Sequence, residues 1–75
     1  MPQLPVMSGR EVVRVFESLG WQVARQSGSH IVLVQRGHLA TLSVPNHREV
    51  ARGTLRALIR LADLTVAEFV DAAKS

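Results

Sequence analysis

Apolar positions early in the chain recur at the spacing of a helix. Val12, Val13, Phe16 and Leu19 mark one face, and Arg10, Arg14, Glu17 and Ser18 fill the other. Ser8 with Glu11 three residues later forms a capping box, and Met7 and Val12 occupy the two positions of a hydrophobic staple. Gly20 follows as a left-handed stop. The pattern predicts a first helix over residues 9–19. Beyond it the helical period is lost, and three short extended segments alternate with turn residues. Residues 21–26 end at Ser27-Gly28, residues 29–36 at Gly37-His38, and residues 39–44 at Pro45-Asn46, where proline stops the ladder. Gaps this short join antiparallel neighbours, so the three segments read as a meander.

Helical spacing then returns. Leu55, Leu58, Ile59 and Ala62 form a stripe, with Arg56 and Arg60 one turn apart on the wet side, predicting a second helix over residues 54–62. Asn46 and Glu49 are candidates to cap an earlier turn that Gly53 interrupts. Thr65 and Glu68 make a second capping box, with Leu64 and Phe69 as its staple, and predict a short third helix over residues 66–73. The order is helix, three-stranded antiparallel meander, helix, short C-terminal helix. Helices flanking a meander gather on one of its faces, so the expected fold class is an α+β two-layer sandwich with the other sheet face open to solvent or a partner.

Seventy-five residues make a single domain, residues 1–75. The absence of cysteine excludes disulfides and thiolate metal sites. Residues 1–7 carry no Lys or Arg and do not read as a signal peptide, and the longest plain apolar run, residues 31–34, is far short of a membrane span. The expected location is the cytoplasm. Charge adds more: residues 1–62 hold eight arginines against three carboxylates, an excess of five. Arginine's planar donor fork suits phosphate oxygens. Such a body fits a polyanion binder, and an ordinary basic surface equally.

Few side chains are equipped for catalysis. The chain has no Tyr, no Lys before Lys74, no closely paired carboxylates and no glycine-rich nucleotide loop. His30, His38 and His47 have no helical metal-ligand spacing, leaving proton transfer as the chemistry open to them and no expected metal or cofactor. His30 opens the second strand. If Ile31 and Leu33 face the helices, His30, Val32 and Val34 project from the open face. His38 reads as a solvated turn residue, and His47 follows Pro45-Asn46 toward the second helix. From spacing alone, a lone histidine in a strand is more often structural or merely exposed than catalytic, and His47 stands no better than His30. Arg48, Arg52, Arg56 and Arg60 recur every four residues, and Gly53-Thr54 offers free backbone amides at a helix start, where phosphate is favoured. A merely solvated helix face would look the same.

Taken together, these motifs resemble the HicA toxin family. Residues 8–21, reading SGREVVRVFESLGW, are similar to its opening helix, and Gly28-Ser29-His30 to its Gly-Ser-His. Val44-Pro45-Asn46-His47 resembles its Val-Pro-x-His, Arg52-Gly53-Thr54-Leu55-Arg56 its basic Gly-Thr-Leu helix start, and residues 64–69 its closing turn. Ile31 departs from the polar residue or second histidine common after the family histidine, and residues 46–51 lack the usual glycine. The resemblance implies a double-stranded-RNA-binding-domain-like fold, cleavage of messenger RNA and neutralisation by a HicB-type antitoxin. It gives His30 the catalytic role and makes Gly28 and Ser29 the shapers of its turn. Metal-free RNA cleavage needs a base for the 2′-hydroxyl proton and cations for the phosphorane charge. His30 could be that base or the acid, His47 a second proton-transfer group, and Gly28, Ser29, Arg48, Arg52, Thr54, Arg56 and Arg60 the RNA contacts. Two other readings use the same residues: a non-catalytic RNA-binding module indifferent to His30, and an interaction domain docking its Val32/Val34 face.

Overall fold

Ser8 fixes where the chain first turns helical. In the computed structural model, which describes residues 3–75, Ser8 is extended and its Oγ accepts the Glu11 amide at 3.2 Å. The Glu11 carboxylate in turn accepts the Ser8 amide at 2.9 Å. Helix α1 (Gly9–Ser18) follows, burying Val12, Val13, Val15 and Phe16. It stops as the sequence predicts, with Gly20 at φ +101°. The Gly20 amide donates to Glu17 O and the Trp21 amide to Phe16 O, the paired closure of a Schellman motif. The Trp21 ring then meets Phe16 edge-on at 6.4 Å.

The meander consists of β1 (Gln22–Ser27), β2 (His30–Val34) and β3 (Leu42–Pro45), antiparallel and adjacent in chain order. β3 begins three residues later than its apolar pattern suggests, because Leu39 is fully exposed in the connecting loop. It also retains Pro45, which an edge strand tolerates at its end. In β1 an extra residue, Ala24, stands between the pairs Val23–Leu33 and Arg25–Val32. This bulge keeps Val23 and Gln26 on the same side as their partners Leu33 and Ile31.

Helix α2 (Arg52–Leu61) starts two residues before the expected position. Gly53 lies inside its first turn rather than interrupting it, and residues 47–49 bend without forming the earlier turn that Asn46 or Glu49 was expected to cap. The helix closes in a second Schellman motif, with Asp63 at φ +60° in the place glycine usually takes. Helix α3 (Val66–Ala73) opens on the Thr65/Glu68 capping box.

α1 lies across all three strands, α2 lies on β3, and α3 packs on both helices. Phe69 of α3 meets Phe16 of α1 at 5.2 Å. Ile31, Leu33, Leu42 and Val44 are buried beneath this layer, and no polar side chain among the described residues is buried. The α+β two-layer expectation is therefore met. At the far end of the sheet the reading of His38 needs correction. It is half-buried, its ring 4.9 Å from Trp21 and its Nε2 3.7 Å from the Asp63 carboxylate. An aromatic neighbour distant in sequence holds this turn residue out of solvent.

Candidate active site

Gly28 and Ser29 form a two-residue hairpin loop between the paired residues Ser27 and His30. Gly28 has φ +58°, and Ser29 has no positive φ, so the left-handed residue is the first of the two. That is the pattern of a II′ turn, which matches the twist of the flanking strands and calls for glycine at that position. A Cβ on Gly28 would meet nothing, so the requirement is conformational rather than steric. His30 therefore emerges from a stiff turn. The alternation of β2 realises the conditional expectation: Ile31 and Leu33 are buried, while His30 is exposed on the opposite face. His30 pairs with Ser27 on one side and Pro45 on the other.

Backbone hydrogen bonds join this turn to two other segments. The Asn46 amide donates to Ser29 O at 2.6 Å, the Gly9 amide to His47 O at 2.9 Å, and the Val50 amide to Met7 O at 2.8 Å. The hairpin turn, the start of α1 and residues 46–51 thus converge on one corner. His47 lies there, two residues beyond the strand partner of His30, with its side chain exposed. Gly9 makes the convergence possible, since a Cβ there would overlap the Pro45 carbonyl. Gly9 is the residue whose positional importance the sequence reading missed. A glycine directly after a helix cap, at a position any residue could fill, was the available signal.

From this corner the chain enters α2. Arg48 sits in the preceding bend and does not join the helical row, whereas Arg52, Arg56 and Arg60 occupy successive exposed turns of α2. The start of α2 has no side-chain cap and no acidic residue in its first turn. The first helical bond runs from Leu55 N to Ala51 O, so the Arg52, Gly53 and Thr54 amides precede the helical ladder. Among the described residues no arginine lies within 4.0 Å of a carboxylate. At the start of α1, by contrast, the Ser8 amide and then its hydroxyl hold the Glu11 carboxyl below its ordinary range, against a small opposing effect of desolvation. The Arg14 charge adds to the lowering. The imidazole of His30 stands exposed on the open sheet face, while the guanidinium groups and uncapped amides of α2 lie in the helix layer, linked to its hairpin through residues 46–51. Such a set can move a proton and hold a phosphate.

No curated protein matches the sequence closely enough to count as a relative. The family described as the HicA toxin of bacterial toxin-antitoxin systems matches residues 9–64. That stretch takes in α1, the whole sheet with its His30 turn, and α2 through its closing motif. The chain therefore belongs to the HicA toxin family, the toxin side of a pair whose other member is an antitoxin.

Proposed function

We propose that this toxin is a metal-independent endoribonuclease that cleaves messenger RNA, with His30 as its catalytic histidine. The observation that carries the reading is the placement of His30: exposed on the open sheet face, at a turn hydrogen-bonded to the segment leading into the arginines of α2. His30 removes the proton from a ribose 2′-hydroxyl, and O2′ attacks the adjacent phosphorus. The bond from phosphorus to the 5′-oxygen breaks, and that oxygen takes up a proton, for which His47 is the second candidate group. Arg52 and Arg56, with the amides up to Thr54, hold the phosphate and offset its growing charge. Arg48 and Arg60 extend the contact along the RNA. Gly28 and Ser29 keep the imidazole in place.

The partner in this reading is a HicB-type antitoxin that covers the open face, where Val34 is 38% exposed and Val32 half-buried. Both act in the cytoplasm.

The test uses purified protein and RNA in excess EDTA. Expected products end in a 2′,3′-cyclic or 3′-phosphate with a free 5′-hydroxyl, and RNA with a 2′-deoxy sugar at the cut position stays intact. His30→Ala should lower the rate at least about a hundredfold, the scale of a lost general base, with an unchanged melting curve. A folded alanine variant that retains wild-type cleavage would remove His30 from the chemistry, whereas a wild-type chain that binds RNA without cutting it would leave the RNA-binding module. A magnesium requirement or 5′-phosphate products would overturn the mechanism.

A further inference from the structure

A groove of about 260 Å³ runs between α1 and the β1 edge of the sheet, outside the His30 corner. Val13, Val23 and Ile31 line its apolar part, while Arg10, Arg14, Glu17 and Gln26 supply its polar groups. The volume falls below the range of small-molecule sites, roughly 300–1,000 Å³, and suits a trough that a chain passes along. Arg10 and Arg14 stand one turn apart on α1, with Cβ atoms about 5–6 Å apart by helical geometry. Both are exposed and neither lies within 4.0 Å of a carboxylate. Two like charges one turn apart repel, and an anion between them removes that repulsion. Glu17, a further turn along, ends the basic run.

The position of the groove matters as much as its charge. Gln26 pairs with Ile31, the residue after His30, so the groove begins one strand pair from the hairpin turn. His30 faces the open side and Ile31 and Gln26 the helix side, so a polyanion lying over His30 reaches the groove by crossing the Ser27–His30 turn from one face to the other. We infer that this groove is a second RNA subsite, which holds the single strand running away from the cut. Arg10 and Arg14 take successive phosphates, and a base rests against the apolar part at Val23, itself 45% exposed. The inference rests on the ribonuclease reading and adds to it a strand path and two arginines that take no part in the chemistry.

The full-length chain tests it. In a His30→Ala background, which leaves RNA uncut, the affinity for a labelled single-stranded RNA oligonucleotide is measured across salt concentrations. Arg10→Gln with Arg14→Gln should flatten the plot of log affinity against log salt by roughly 1.4, from about 0.7 per phosphate contact. With His30 intact, the same pair should raise KM and leave kcat unchanged. Arg36→Gln, at the far end of β2 beside Gly37, controls for net charge and should leave the slope unchanged. Glutamine is a good helix former at exposed sites, and should the double variant unfold, Arg14→Gln alone should flatten the slope by about 0.7. An unchanged slope, alongside a flattened one for Arg52→Gln with Arg56→Gln, overturns the groove and leaves the His30 reading standing. If the wild-type chain neither binds nor cuts RNA, both fall.

Discussion

Two ten-residue helices start near the same corner and are finished in opposite ways. α1 is sealed by the Ser8/Glu11 capping box, and its first amide, at Gly9, is taken by His47 O. α2 begins at Ala51, with no side-chain acceptor and no acid in its first turn, flanked by Arg48 and Arg52. A cap is worth about 1 kcal/mol, which a small domain does not lightly forgo. The difference leaves α1 capped and the first amides of α2 without a side-chain acceptor, as the proposed phosphate contact requires. Both helices bear on the corner: α1 holds residues 46–51 in place through the Gly9–His47 bond, and α2 follows directly from them.

The most disruptive way to break this arrangement is Gly9→Ala. Helix propensity alone predicts a gain of up to about 1 kcal/mol. The new methyl, however, overlaps a backbone carbonyl, Pro45 O, which cannot rotate away. A net loss of about 1–3 kcal/mol is expected by chemical denaturation, together with loss of RNA cleavage as residues 46–51 shift. A stabilised and fully active variant would mean that the corner does not depend on this close approach.

The contrast between the caps can be sharpened by exchanging them. Ser8→Ala should cost about 1 kcal/mol, or about 4–8 °C in melting temperature, and leave RNA affinity at a given salt unchanged. Ala51→Ser should do the reverse. Ala51 already has φ −56° and ψ 139°, so a serine there can cap α2. The expected outcome is a melting temperature raised by several degrees and a weaker affinity for RNA, because the hydroxyl now occupies an amide. A stabilised variant that binds RNA as tightly as before would show the uncapped start to be idle.

The smallest effect concerns acid. Because the Glu11 carboxyl is held below its ordinary value of 4.5, its contribution is complete above that value and is lost as pH falls through the lowered one. Glu11→Gln keeps an acceptor for the Ser8 amide but removes the charge. The variant should lose less stability than wild type on acidification below about pH 4.5, with the two converging at the acid extreme. Parallel acid profiles would show that the charge contributes nothing.

How much of this was legible in the sequence follows from the range of the forces involved. The start and stop of α1 and the start of α3 were readable because each depends on residues within five positions: Ser8 with Glu11, Gly20 with Glu17, Thr65 with Glu68. β2 was readable as a strand, but its face was open, because Val32 and Val34 are as apolar as Ile31 and Leu33; burial of the latter pair puts His30 outside. α2 was misjudged by two residues because Gly53 read as a break, although its amide in the first turn has no ladder bond to lose. Leu39 was misread as strand because an apolar side chain carries no mark of where it is exposed. His38 and the corner itself were beyond reach. The Trp21–His38 contact and the bonds Gly9–His47 and Asn46–Ser29 join segments 17–38 positions apart, and no local pattern encodes them.

The bulge at Ala24 has a consequence for how the toxin meets copies of itself. A three-stranded antiparallel sheet leaves two rims of backbone donors and acceptors, each a template on which another chain could extend the sheet into a fibre. At the β1 rim the extra residue breaks the even spacing and the adjacent Arg25 adds a repelling charge. At the β3 rim the last residue, Pro45, has no N–H to offer. Molecules released together from their antitoxin therefore meet rims that offer no continuous template for stacking.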